Sequence, residues 1–453
     1  MPVSHAQMLR PGLTLGLLAA SLFLSWIGFS STYVVFPNMV LLEKCEELGI
    51  PQAQCTSEND RFLEAQAMQT EFMSTYMLLS SLPCVLVCAF CAHASDCIGR
   101  RPLLIVAGLQ GVCTYGLIMW QGLRSPWVVA AVMALNCLSG GIYGANGNLL
   151  ASAADVSAGW SPTERARMFG RLEGAIWMGQ TIGPSLGGVA SNLLGPQRAL
   201  VVPTLLSASC AVLGVALMPE TLPRERRAAF SWRRASPLGG LLLVRDVPHC
   251  LTFAAGLLFA QWGISTGLTS VPLFCKRTLG WPDGTIGAVD TVYFAANGLG
   301  LLVCMPALAR RVSAKSIAML AGLSSATTWI LLANVVRGWE LFAVVCVAFA
   351  SAMIFPIIRT SLVTVLGPQL NGVALGIMSL VELVCQLGAP AAASATWHVL
   401  DVRGWPDHVA FAIAAAEVAV ALGIFAVVPG SQLRFETSFD VDRLCEGERL
   451  SQT

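Results

Sequence analysis

The chain has 453 residues, of which 55% are hydrophobic and only 12% charged, with a formal net charge of +1. An ordinary soluble domain carries about 25% charged residues, so this composition excludes a soluble globular fold, and the near-neutral balance gives no support to nucleic-acid binding. A mean hydropathy of +0.68 and repeated uncharged stretches of roughly 20 residues, the length that crosses a ~30 Å hydrocarbon core, point to an all-α polytopic membrane protein.

Pro11 to Leu42 holds no charged residue. It is longer than the apolar region of a signal peptide and only Arg10 precedes it, so it reads as a retained first span. Charge clusters and Gly/Pro-containing loops then predict twelve spans, near 14–37, 72–94, 103–123, 127–151, 168–193, 199–218, 249–274, 285–308, 315–336, 340–364, 372–397 and 408–428. Each satisfies its own backbone as a helix, which lipid demands.

Between the first two spans an acidic stretch, Glu43 to Glu71, forms an outer loop carrying Cys45 and Cys55. An oxidising exterior would allow that pair to join as a disulfide. Most of the 27 Lys and Arg residues fall on segments that share a side with the N-terminus, so both termini are expected in the cytosol, with the plasma membrane as the expected location.

The longest interruption after span 2, Pro219 to Val247, carries "PRERRAAFSWRR" and reads as a cytosolic linker. The expected organisation is a six-helix bundle over 1–218, the linker 219–247, a second six-helix bundle over 248–430 and a cytosolic tail 431–453. Gly170, Gln180 and Pro184 in span 5 recur at one constant offset as Gly376, Gln386 and Pro390 in span 11, in keeping with two pseudo-symmetric halves of a secondary transporter.

Between spans 2 and 3 the chain reads "AHASDCIGRR". Gly99 permits a sharp turn, Arg100 and Arg101 hold the loop on the basic side, and Asp96 is placed to pair with a neighbouring helix end. The stretch resembles the Gly-x-x-x-Asp-x-x-Gly-Arg-Arg signature of the major facilitator superfamily, with Ala92 in place of the leading glycine. "GQTIGPSLGG" in span 5, with Gly179, Gly183, Pro184, Gly187 and Gly188, resembles a pattern typical of that family's exporters. Glycines four apart let helices approach closely, and the proline kinks the span.

"ADVSAGWSPTERARMFGRL" resembles the family's loop between helices 4 and 5, which implies a cytosolic charge cluster of Asp155, Glu164, Arg165 and Arg167 near Asp96. "MPETLP" at 218–223 resembles the end of helix 6 in drug-exporter-like members. One departure stands out. The family's proton antiporters carry Arg-x-x-Gln-Gly in helix 4, whereas here "NCLSGG" places Asn136 at the arginine position. That version and the acidic, Cys-bearing outer loop also resemble the proton-coupled folate transporter group.

Ionisable residues inside spans usually face a cavity or a partner. Glu382 lies ~15 Å into span 11 and Asp290 ~9 Å into span 8 at 1.5 Å per residue, so both are candidates for proton coupling. Glu173, Arg171 and Arg359 fall near inner helix ends, where snorkelling or salt-bridging is expected. Tyr33, Asn146, Gln180, Gln261 and Gln386 are candidate cavity lining, with Trp177 and Trp262 as stacking surfaces and interhelical hydrogen bonding as the competing account.

The five histidines show no metal-ligand spacing, and no phosphate-cradling loop is present for ATP-driven transport. No metal, cofactor or enzymatic constellation is expected. The expected function is alternating-access transport of a small organic molecule by a monomer, coupled to protons, with efflux favoured by the span-5 pattern. Proton-coupled uptake of an organic anion and a non-transporting membrane receptor are the competing functions.

Overall fold

In the computed structural model, residues 11–51, 55, 61–237, 245, 250–281 and 283–428 are described. Their regular structure is helical, in twelve long helices: α1 Pro11–Glu47, α2 Phe62–Ile98, α3 Arg100–Gln121, α4 Pro126–Val156, α5 Pro162–Leu194, α6 Pro196–Ala216, α7 Cys250–Thr278, α8 Gly284–Arg311, α9 Ala314–Leu332, α10 Gly338–Leu366, α11 Asn371–Arg403 and α12 Val409–Val427. Eleven are long and apolar enough to cross a membrane by length and composition. The twelfth, α5, is 33 residues long but more polar, because Glu164, Arg165, Arg167, Arg171 and Glu173 crowd its first four turns.

Two expectations change. The acidic stretch after span 1 is largely helical: α1 runs on to Glu47 and α2 begins at Phe62. Ion pairs three residues apart, Lys44–Glu47 at 2.8 Å and Arg61–Glu64 at 3.2 Å, are of the kind that supports such exposed turns. The fourth span is not continuous. It divides into Pro126–Cys137 and Gly141–Val156, because Gly140 and Gly141 sit at φ of 72° and 70°, a left-handed conformation that breaks the helical ladder.

Gly179, Gly183 and Gly187 form one face of α5 and lie directly on α1. A methyl group at Gly179 would fall 2.9 Å from the Phe23 carbonyl, and one at Gly183 or Gly187 would collide with Ser30 or Ser31. Ser30 Oγ donates to the Gly179 carbonyl at 3.3 Å across that seam. Gly188, one position further, faces open space. In the second half Gly263 plays the same part for α7 against Ala414 and Val418 of α12.

The first six helices pack chiefly as α1–α5, α1–α6 and α3–α6, and the last six as α7–α12, α9–α12 and α7–α11. Contacts between the two sets run through α2 and α4 against α11, and through α5 against α8 and α10. The segment after α6 folds back on α2 and α3: Ala228 N–H donates to the Asp96 carbonyl at 2.9 Å and Ser231 N–H to His93 Nε2 at 2.9 Å. Residues 238–244, 246 and 247 of the expected linker, residues 248 and 249 of the expected second bundle, and the whole expected tail 431–453 lie outside the described residues.

Candidate functional site

A cavity of about 260 Å³ lies where the two sets of helices meet, lined from α1, α4 and α5 on one side and α7, α8, α10 and α11 on the other. Its chemistry centres on Arg359 of α10. The guanidinium places Nη2 2.5 Å from Glu382 Oε1 of α11 and Nε 2.8 Å from Glu173 Oε1 of α5. The first contact is an aligned hydrogen bond; the second is close charge proximity without that alignment. All three side chains are almost fully buried. Desolvating a charge is tolerable only when partners compensate it, so the three groups hold each other in place. Glu173 belongs to the first set of helices and its two partners to the second, so the cluster also ties the two sets together.

Of the two expectations for Glu173 and Arg359, snorkelling and salt-bridging, the structure shows ion pairing, and shows it inside the molecule instead of at helix ends. Both side chains line the same cavity as Glu382 and Asp290, because the helices extend past the predicted spans and carry both residues inwards. The cavity holds three carboxyl groups and one guanidinium, a wall far more charged than the sequence implied.

Around the charges, Tyr143 Oη donates to Gln386 Oε1 at 3.2 Å, joining α4 to α11, and Trp26 Nε1 donates to Asn146 Oδ1 at 3.0 Å. Tyr33, Gln180 and Gln261 also line the cavity, with Gln261 Nε2 3.4 Å from Ser265 Oγ. Trp177 forms an aromatic wall with Phe294 and Phe355, ring centroids 5.7 and 6.3 Å away. Trp262 is not part of the lining: one residue beyond Gln261 rotates it about 100° around the helix, and its ring packs over Gly388 of α11. A larger, mostly apolar chamber of about 800 Å³ adjoins at Tyr33, Tyr143, Thr269 and Gln386 and runs from Phe36 and Thr70 to Leu104, Gly214 and Met218, on the side of the α2–α3 turn.

The second cluster sits at the α2–α3 turn. Gly99 has φ of 109°, which turns the chain and points Arg100 inwards. Its buried guanidinium lies 2.7 Å from Asp96 Oδ1 and 2.8 Å from Asp155 Oδ2, and it also contacts Ser95. Asp96 thus meets Asp155 through Arg100. Both acids then reach the other set of helices at the start of α11: Gly372 N–H donates to Asp96 at 3.2 Å and Asn371 Nδ2 to Asp155 at 2.8 Å. The partial positive charge of a helix N-terminus favours a carboxylate there.

Glu164, Arg165 and Arg167 are not in that cluster. Glu164 closes a capping box with Ser161 at the start of α5, and the Ser161 hydroxyl and then its N–H hold the Glu164 carboxyl below the ordinary carboxylate range. Arg165 donates to the Ser157 and Ala158 carbonyls and, at 3.0 Å, to Thr364 Oγ1 of α10. Arg167 Nε has no hydrogen-bond partner among the described residues. Arg101 turns outwards to the Gly214 and Val215 carbonyls at the end of α6.

Two partners were not assigned to this cluster from the sequence, although Glu220 lies within "MPETLP". Glu220 accepts from the Arg100 and Arg101 N–H groups at 2.9 and 3.3 Å, and Asn371 is separated from Asp155 by 216 positions. On the opposite end of the molecule Cys45 and Cys55 are joined in a disulfide, with Cα atoms 6.0 Å apart. Asn136, at the place of the expected arginine, accepts from Gln110 Nε2 at 2.9 Å beside the α4 break, so a neutral amide pair occupies that position.

Known proteins of this architecture match closely. The human organic anion transporter MFSD10 (TETRAN) superposes with a TM-score of 0.72 at 19% identity, covering 92% of this chain and all of that one. A XylE mutant superposes at 0.63 and 14% identity, covering 94% and 97%. In sequence the chain is 24% identical to the class D tetracycline resistance protein of Salmonella ordonez over 58% of its own length. It is 37% identical to MFSD10 of Homo sapiens over 32%. These alignments span 64% and 30% of the two relatives. The model of the Major Facilitator Superfamily matches residues 18–393, from α1 into α11 and across both charge clusters, and the chain belongs to that superfamily of membrane transporters.

Proposed function

We propose that the chain is a proton-coupled exporter of a small organic molecule, working as a monomer in the plasma membrane. The α2–α3 end and both termini would lie in the cytosol, as the distribution of Arg and Lys favours. The two six-helix units, 1–218 and 248–430, would rock about the cavity, with 219–247 as their linker. The observation that carries this reading is Arg359, held between Glu173 of one unit and Glu382 of the other inside the cavity.

A proton on Glu382 or Glu173 removes one half of that clamp and with it a tie between the units. With three carboxyl groups against one guanidinium, the cavity attracts protons and positively charged or zwitterionic groups. Both compete for the same carboxylates, and such competition is what exchange of substrate for protons requires. The similarity to tetracycline resistance proteins supports outward movement.

A second reading has its own support in Arg359. An organic anion would pair with this guanidinium once a carboxylate is neutralised, so anion and proton would bind together and move in the same direction. The human organic anion transporter MFSD10 is similar in fold.

The test is reconstitution into proteoliposomes loaded with tetracycline or, separately, benzoate, with the internal pH recorded as substrate leaves. Exchange acidifies the interior and cotransport makes it more alkaline. The Glu382→Gln variant should lose gradient-driven flux at least tenfold. Wild-type flux that ignores an imposed pH gradient would overturn proton coupling.

A further inference from the structure

We infer that the segment 223–236, between α6 and α7, is a binding site for anionic phospholipid headgroups at the edge of the bilayer. The observations start on α2. Leu78, Leu82, Leu86 and Phe90, spaced four apart on one face, are all exposed, between 39% and 65%. Such an unpartnered apolar stripe on a membrane helix faces lipid. At its lower end Phe90 is ~12 Å from the helix terminus at Ile98, at 1.5 Å per residue.

There the stripe does not stop. Phe230 and Trp232 continue it, 6.0 and 6.4 Å from the Phe90 ring and 5.0 Å from each other in an edge-to-face pair. Trp232 remains 76% exposed. A tryptophan held at the end of a lipid-facing stripe occupies the depth at which aromatic belts meet headgroups.

The segment is fixed there by the Ala228 N–H bond to the Asp96 carbonyl and the Ser231 N–H bond to His93. Arg224, Arg226 and Arg233 flank the aromatic pair, are exposed, and form no ion pair among the described residues. Arg227 is engaged with Glu220 at 3.7 Å, and Glu225 is the one acidic residue in the segment. Exposed guanidiniums beside an interfacial tryptophan complement phosphate diesters, and basic residues next to a membrane helix attract anionic lipid. Because the same segment holds the backbone of Asp96, lipid bound here would steady the α2–α3 cluster.

The experiment places the full chain in nanodiscs with trace spin-labelled phosphatidylglycerol or phosphatidylcholine and reads the motionally restricted fraction by electron paramagnetic resonance. The wild type should prefer phosphatidylglycerol at least fivefold, with the preference falling at high salt. The Arg224→Gln/Arg226→Gln/Arg233→Gln variant should lose it, and Trp232→Ser should at least halve it; an unchanged thermal midpoint would show that both remain folded. The same preference in the triple variant would overturn the assignment. So would displacement of the labelled lipid by millimolar inorganic phosphate, which would mark a general phosphate site.

Discussion

Arg359 is the residue whose neighbours decide most. Its removal alone leaves Glu173 and Glu382 buried side by side with no cation between them, and breaking a buried ion pair from one side costs about 3–5 kcal/mol. Arg359→Gln should therefore lower the thermal midpoint of the purified protein substantially. Neutralising all three, as Glu173→Gln/Arg359→Gln/Glu382→Gln, should restore most of the loss while remaining inactive in coupled flux. A triple variant no more stable than the single one would show that the charges do not depend on each other. Glu382 was legible in the sequence because a lone acid deep in an apolar run must face something. Glu173 and Arg359 were legible as charges but not as its partners. Their meeting depends on the tertiary approach of α5, α10 and α11, and no local periodicity encodes that.

Among the elements, α5 shows how a small-residue pattern becomes a packing surface. Gly183 and Gly187 each abut α1 so closely that a methyl group collides with Ser30 or Ser31, whereas Gly188 is open. Overpacking a fitted interface costs about 1–3 kcal/mol, and more where backbone must move. Gly183→Leu and Gly187→Leu should each sharply reduce the yield of monodisperse protein on size-exclusion chromatography. Gly188→Leu should match the wild type; an equal loss at Gly188 would sever the link between the pattern and the α1 seam. Spacing by four exposed this face in the sequence. The break in α4 escaped because "NCLSGG" invited comparison with a helix-4 pattern, while the left-handed turn at Gly140 and Gly141 is a backbone property that glycine permits without announcing.

At the scale of the whole molecule, Asp96, Asp155, Asn371, Arg165 and Thr364 join the two sets of helices near the α2–α3 turn, while the larger chamber reaches Phe36 and Thr70 at the other end. These bonds close the seam between the two sets of helices at the α2–α3 end. The paired organisation was readable from span count, the basic linker and the recurring Gly, Gln and Pro positions; which contacts close the molecule was not, since Asn371 carries no distinctive signature. None of these closing residues lines the charged cavity. Under the proposed mechanism, loosening them should change how often the units rock and leave the binding groups in place. Asp96→Ala removes the acceptor for Gly372 N–H and one partner of Arg100, and Asn371→Ala removes only the bond to Asp155. Asp96→Ala should slow maximal flux about tenfold and Asn371→Ala less. Half-saturating substrate concentration should stay within about twofold in both. Flux measured across a substrate series separates the two quantities. A large loss of apparent affinity with unchanged maximal rate would place Asp96 in substrate binding and remove it from closure.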